Sequence, residues 1–227
     1  MKKKVAVLFS GGKDSGLALY NVLEDKKYDV AYLLNVFPKN KDSFMFHKPN
    51  EELLEEQARQ MNLPLITIRS GGEKEKELKD LERIIEKVKG EVEGIVVGGI
   101  ASSYQGKRIK KICEGMDLEF ISPLWDYSPE KVWKELLEND FKVILTRITC
   151  DGLGREWLGK VIGKGQLSKL KKLSEEYKFR LDFEGGEAES AVLYMPGFGK
   201  EIKIEGHNES EGKYRHFLII EKIGLKE

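Results

Sequence analysis

The stretch Val5-Ala6-Val7-Leu8-Phe9-Ser10-Gly11-Gly12-Lys13-Asp14-Ser15-Gly16 decides how the rest of the chain is read. Five apolar residues without alternation describe a strand buried on both faces. The Ser-Gly-Gly turn that ends them leads into Leu17, Tyr20 and Leu23 at helical spacing. A strand apolar on both sides needs cover on both sides, which calls for a parallel sheet between two layers of helices. The apolar run after Met1-Lys2-Lys3-Lys4 is too short for the core of a signal peptide, so it reads as a strand.

The loop has the composition of an anion site. Gly11 and Gly12 let the backbone turn with positive φ and aim successive N–H groups inward, while Ser10 and Ser15 add hydroxyl donors. The start of the following helix adds partial positive charge, and Lys13 adds a full one. Asp14, an acid inside an anion site, makes sense when a divalent cation bridges it to phosphate. The spacing fits neither the Walker A loop nor the Gly-x-Gly-x-x-Gly of dinucleotide folds. A ligand-free β–α turn needs no such lysine beside its glycines.

Further apolar runs, Val30 to Val36, Leu65 to Ile68, Gly94 to Ile100 and Phe120 to Leu124, read as strands. Between them, Glu51 to Met61 keeps Leu54, Ala58 and Met61 on one helical face, and Glu73 to Lys89 does the same with Leu78, Leu81, Ile85 and Val88. This alternation predicts an α/β fold, a doubly wound and mostly parallel five-stranded sheet with ligands at the carboxyl ends of its strands. Beyond Trp125 the pattern changes. Ser128-Pro129 opens a helix, a strand covers Lys142 to Ile148, helices cover Trp157 to Ile162 and Leu167 to Phe179, and Glu184-Gly185-Gly186-Glu187 follows. The last segment reads as strands Glu201 to Glu205 and His216 to Lys222, joined by a polar loop containing Asn208, Ser210 and Gly212. We therefore expect a nucleotide-binding domain over 1–125 and a smaller α+β domain over 126–227.

The 227 residues carry 39 Lys+Arg and 39 Asp+Glu, so no bulk charge attracts nucleic acid, and none is expected as a partner. No window approaches 18 uninterrupted apolar residues, so no membrane partner is expected either. Cys113 and Cys150, far apart, exclude a disulfide scaffold and any Cys-x-x-Cys site and suggest a reducing, cytoplasmic setting. A homo-oligomer is left open.

Ser10-Gly11-Gly12-Lys13-Asp14-Ser15 resembles the PP-loop of the N-type ATP pyrophosphatases, an adenine nucleotide hydrolase-like fold. The resemblance implies ATP and Mg2+, cleavage between the α and β phosphates, and an adenylated intermediate. Within that superfamily, the segments Gly98 to Arg108, Pro123-Leu124-Trp125, Gly152-Leu153, Trp157-Leu158-Gly159 and Glu184 to Ser190 resemble, in order, the diphthine–ammonia ligase family. That likeness implies amidation of the diphthine form of elongation factor 2, releasing AMP and pyrophosphate. Neither cysteine has a glutaminase context, which leaves free ammonium, or another amine, as the nitrogen donor. Three positions depart from the usual family pattern: Phe183 stands for Gly, Ala188 for an aromatic and Ser190 for Thr.

The resemblance also assigns roles. Ser10, Gly11, Gly12, Lys13, Asp14 and Ser15 would hold the nucleotide, with Asp14 on the metal and both Lys13 and Asp14 catalytic. Gly98 and Gly99 would border the nucleotide if the strand order reverses beside the first strand. Asn35 could meet adenine or ribose, or could equally be a strand-terminal turn residue. The substrate side would comprise His47, Ser103, Tyr104, Gln105, Arg108, Glu184, Glu187 and Glu189. His47 reads equally as a structural loop residue, and Arg108, among Lys107, Lys110 and Lys111, could also be solvated. Glu184, Glu187 and Glu189 repel one another unless a cation is near, such as the trimethylammonium of diphthine or ammonium. Glu187 could then act as a base; the bland alternative is a solvated acidic turn. Two other functions fit the loop: a PP-loop ligase or thiolase acting on tRNA, and a non-catalytic ATP-binding sensor.

Overall fold

Val5, Ala6 and Val7 are fully buried at the centre of β1 (Lys3–Leu8), as a strand covered on both faces requires. This computed structural model describes residues 1–38, 50–70, 74–99 and 104–227, without the side chains of 38, 74–77 and 104–105. Its described residues divide into two compact units, Met1–Ser10 with Asp14–Asp126, and Gly11–Lys13 with Tyr127–Glu227.

The first unit continues with α1 (Lys13–Glu24), β2 (Tyr28–Pro38), α2 (Glu51–Met61), β3 (Leu65–Ser70), α3 (Lys74–Glu86), β4 (Gly94–Val97), α4 (Tyr104–Gly115) and β5 (Glu119–Ile121). Its sheet runs β3-β2-β1-β4-β5 with every neighbouring pair parallel. The strand order therefore reverses between β1 and β4, the point at which such sheets open a crevice beyond their carboxyl ends. Ala6, Leu34, Val36, Ile95 and Val97 form one core with Leu81, Ile84, Ile85, Ile109 and Ile112 of the helices. The five-stranded doubly wound reading holds. The helix over Glu51–Met61 is capped as its ends suggest: Asn50 Oδ1 accepts from Leu53 N at 2.9 Å, and Asn62 closes it at φ 52°.

The second unit contains α5 (Pro129–Glu138), β6 (Lys142–Ile148), α6 (Lys164–Tyr177), β7 (Ala188–Tyr194), β8 (Ile202–Glu211) and β9 (Arg215–Leu225). Its sheet order is β7-β6-β9-β8, antiparallel throughout. Ser128 caps α5 through Lys131 N at 3.2 Å, ahead of Pro129. Trp133, with no exposed surface, donates Nε1 to Leu181 O at 2.8 Å.

Three expectations differ here. The helix expected at Trp157 to Ile162 is one 3-10 turn, Arg155–Trp157, followed by extended chain. Leu158 bridges Leu145, Gly159 N donates to Leu145 O, and Ile162 N donates to Val143 O. Gly159 at φ 71° breaks the helical pattern, and β6 has backbone groups to satisfy beyond its short pairing with β9. The polar loop expected around Asn208 and Ser210 is strand, because β8 reaches Glu211 and the turn occupies only 212–214. That hairpin is largely exposed, so it lacks the apolar alternation that marks a half-buried strand. Strand β7 was not anticipated at all.

Replacing Trp133 by Phe leaves the buried Leu181 carbonyl without its donor. We expect Trp133→Phe to lower the unfolding free energy by about 1–3 kcal/mol, read as a reduced midpoint in urea denaturation.

Candidate functional site

The phosphate-type loop is fastened at several points. In the first unit, Ser10 N donates to Ser15 Oγ at 3.2 Å and the two hydroxyls lie 3.1 Å apart, closing the loop across its mouth. Asp14 stands in the first turn of α1 and Ser15 is buried. Of the two glycines only Gly11 has positive φ, at 76°. Gly98 follows β4 directly, and a Cβ there would lie 2.6 Å from Ser15 N and 2.7 Å from the Asp14 carbonyl carbon. The backbone of α1 thus approaches β4 closely, so this glycine has a packing reason of its own. Gly99 O accepts from Ser122 Oγ at 3.0 Å.

Asn35 lies inside β2, opposite Thr67, rather than at a strand-terminal turn. Its Nδ2 donates to Phe9 O at 2.7 Å, and since a carbonyl only accepts, the amide orientation is fixed. Its Oδ1 is buried and has no hydrogen-bond partner among the described residues. A buried acceptor left so costs energy that a ligand donor would recover.

In the second unit, Gly11–Lys13 lies along the free edge of β7. Val192 N donates to Gly11 O at 2.9 Å, and Lys13 N donates to Ser190 Oγ at 3.1 Å. The Lys13 N–H belongs to the first turn of α1, whose donors lack intrahelical partners, so Ser190 serves as its acceptor. Lys13 is buried, with Nζ 5.9 Å from the centroid of the Phe183 ring. Gly12 belongs to the same tripeptide and is partly exposed.

The acidic motif lies between Phe183 and Ser190, and its three carboxylates have different surroundings. Glu189 faces Arg147 across the β6–β7 register, with Oε1 3.0 Å from Nη1. Glu187 Oε1 accepts from Arg180 N at 3.0 Å, whereas its Oε2 is buried with no hydrogen-bond partner among the described residues. A Cβ at Gly185 would fall 2.5 Å from that Oε1, so the glycine leaves room for the carboxylate. Glu184 is exposed. Asp182, which sequence reasoning passed over, shapes this turn: it is buried, accepts both Arg180 Nε and Nη2, and accepts Glu184 N at 3.2 Å. An aspartate just ahead of a Gly-Gly pair is the available signal, because Asx side chains bond backbone a residue or two onward.

Other expected residues are less informative. His47 and Ser103 lie outside the described residues. Tyr104 and Gln105 open α4, but their side chains also lie outside the description. Arg108 sits on α4, partly buried. Both thiols are held protonated: burial raises Cys113 to about 11, and burial, with Glu187 and Asp151 adding to it, raises Cys150 to about 11.

A doubly wound parallel sheet whose first β–α loop carries Ser-Gly-Gly-Lys-Asp-Ser defines the class, the PP-loop α/β proteins. Residues 3–119 match the model of the diphthamide synthase N-terminal domain and residues 128–225 that of the C-terminal domain, so the chain belongs to the diphthamide synthase family. It is 30% identical over 226 residues to the Homo sapiens diphthine–ammonia ligase, covering 89% of this chain and 83% of that protein. It is 31% identical over 219 residues to that of Schizosaccharomyces pombe, covering 88% of this chain and only 36% of the longer yeast protein. A solved structure described as a predicted subunit of tRNA methyltransferase from Methanocaldococcus jannaschii is 17% identical, with a TM-score of 0.41 over 88% of this chain and 99% of that one.

The hydroxyl at position 190 is testable by itself. Ser190→Ala removes the acceptor for Lys13 N–H and should speed hydrogen exchange at that amide about tenfold or more. Ser190→Thr keeps the oxygen and should leave exchange near the wild-type rate.

Proposed function

We propose that the chain catalyses ATP-dependent amidation of diphthine on elongation factor 2, with ammonium as nitrogen source, in the cytoplasm. The observation that carries the reading is the place of Lys13: the loop lysine is bonded through its amide to Ser190 and faces the ring of Phe183, the two residues that bracket Glu184 to Glu189. Within the second unit, the loop lysine and the acidic motif are thus neighbours, which supports a shared role for them.

The chemistry then follows. An oxygen of the diphthine carboxylate attacks the α-phosphorus of ATP, the α–β anhydride bond breaks, and pyrophosphate leaves. Lys13 and the backbone N–H groups of the loop stabilise the charge that develops on it. Ammonia next attacks the acyl carbon, a proton passes from nitrogen to Glu187, and AMP departs with the electrons of the acyl–oxygen bond. The buried Oε2 of Glu187 supports this role, since an ammonium N–H would satisfy it. Asn35 Oδ1 is suited to a nucleotide donor, Gly98 borders the loop, and Gly99 is placed beside the nucleotide by resemblance alone. Magnesium, when bound, neutralises the leaving pyrophosphate, and Asp14 is the residue to hold it. No three His, Cys, Asp or Glu side chains are grouped for a metal among the described residues. Glu184 is exposed, and by resemblance it meets the trimethylammonium of diphthine by charge, with His47, Ser103, Tyr104, Gln105 and Arg108 completing the substrate side. Glu189, paired with Arg147, fits a positioning role in β7.

The tRNA thiolase alternative requires thiolates. With both cysteines near 11, about one thiol in ten thousand is ionised at pH 7.

Incubation with ATP, magnesium, ammonium and diphthine-bearing elongation factor should yield AMP, pyrophosphate and a mass decrease of about one unit on the modified histidine, the carboxyl-to-amide difference. Lys13→Ala and Asp14→Ala should abolish AMP formation, and Glu187→Ala should retain nucleotide binding. ADP as product, or full turnover by the first two variants, defeats the reading; ATP bound and returned intact identifies a sensor. Replacing Cys113 and Cys150 by Ala should leave AMP formation unchanged. Alkylation of Cys150 should be slow at pH 7 and accelerate about tenfold per pH unit until the pH nears 11, because the raised pKa withholds the thiolate until then.

A further inference from the structure

Phe183 holds a backbone conformation that bulky side chains avoid. Its φ is 62°, in the left-handed region, immediately before the acidic motif. Such strain persists only where the surroundings over-determine it. Here they do: the ring is 5% exposed, stands edge-on to Trp133 with centroids 6.2 Å apart, and stacks on Phe179 at 6.1 Å with an interplanar angle of 26°. Trp133 is itself tied by Nε1 to Leu181 O, two residues before Phe183.

The ring also has a neighbour that a merely structural aromatic would not need. Lys13 Nζ lies 5.9 Å from its centroid, and Lys13 is 2% exposed. An ammonium so far removed from water is sensitive to which groups line its surroundings, and an aromatic face attracts it through the ring quadrupole. The Lys13 amide is fixed independently by Ser190 at 3.1 Å, so the backbone is held at one end of the residue and the ammonium at the other.

We propose that Phe183 is a positioning residue for Lys13: the Trp133–Phe179–Phe183 stack holds an aromatic face against the loop lysine and confines its ammonium to the place from which it serves the departing pyrophosphate. The kinetic part of this inference rests on the proposed amidation; the confinement of the lysine does not.

The test uses the full chain with three variants, checked for folding by thermal denaturation. Phe183→Leu keeps an apolar side chain and removes the π face, Phe183→Tyr keeps the face, and Phe183→Gly relieves the backbone while removing both. Two readouts are taken. The first is the proton shift of the Lys13 ε-methylene in lysine-labelled protein, assigned with Lys13→Arg, which reports the ring current directly. The second is pyrophosphate release, separated into kcat and KM for ATP. Phe183→Leu and Phe183→Gly should lose the ring-current shift and about tenfold in kcat, with KM changed less than twofold, the scale expected for a desolvated cation–π contact. Phe183→Tyr should restore both. A wild-type lysine shift and kcat in Phe183→Leu overturns the inference, as does a loss that Phe183→Tyr fails to rescue. Should the wild-type protein form no AMP, the proposed function falls while the lysine shift still decides the positioning.

Discussion

The pairing of Gly11–Lys13 with the edge of β7 is the contact on which the rest depends. An edge strand presents unpaired N–H and C=O groups that must be met by something. Here Gly11 O takes the Val192 N–H, and Ser190 Oγ takes the N–H of Lys13, so two ends of a tripeptide are fixed two residues apart along β7. The tripeptide that the sequence places between β1 and α1 consequently belongs to the second unit. Its conformation is a property of that unit's sheet, not of a turn acting alone. The same β7 is set on its other side by β6, where Glu189 and Arg147 stand opposite each other. A register slip by one residue would turn both Ser190 and Glu189 to the wrong faces, so the loop geometry and the acidic motif are specified together.

Stability is unevenly distributed around this contact. The first unit rests on apolar burial in a sheet covered on both faces, where Val5, Ala6, Val7, Ile95 and Val96 are fully buried. By contrast, the β8–β9 hairpin is held by its ladder and by surface pairs such as Lys222–Glu205 at 2.9 Å and Lys226–Glu201 at 3.0 Å, which solvent screens. Close packing and an unusual backbone mark two other places. Gly98 brings the backbone of α1 against β4, and Phe183 carries a left-handed φ among aromatic neighbours.

What the sequence made legible follows from the same division. The strands of the first unit announce themselves because they are apolar on both faces, α2 because Leu54, Ala58 and Met61 share a helical face, and α5 because Ser128 caps it ahead of Pro129. Strand β7 stayed hidden because Glu189 and Ser190 interrupt its apolar run, and their partners, Arg147 and Lys13, are 42 and 177 residues away. The exposed half of β8 carries no period for the same reason: cross-strand ion pairs replace a buried face. In the site, residue types were legible and pairings were not. Gly98 could be read as a needed glycine, yet the close approach of Asp14 and Ser15 that requires it depends on strand order. Asn35 reads equally as a nucleotide contact or a strand-terminal turn residue until it is seen inside β2 with its amide on Phe9 O. Asp182 gave only the weak signal of an acid before two glycines.

Three glutamates in six residues look alike in sequence, and the surroundings separate them. Glu189 is already answered by Arg147, so pulling it toward a ligand would leave a half-buried guanidinium partner poorly served. Glu184 faces solvent, where an attraction to a substrate cation is long-ranged but weak and screened by salt. Only Glu187 combines a fixed orientation, through Arg180 N–H and the space left by Gly185, with an oxygen that no described donor satisfies. A group that must receive a proton at one moment of a reaction needs to be oriented beforehand yet not fully engaged, and among the three carboxylates Glu187 is the one that meets both conditions.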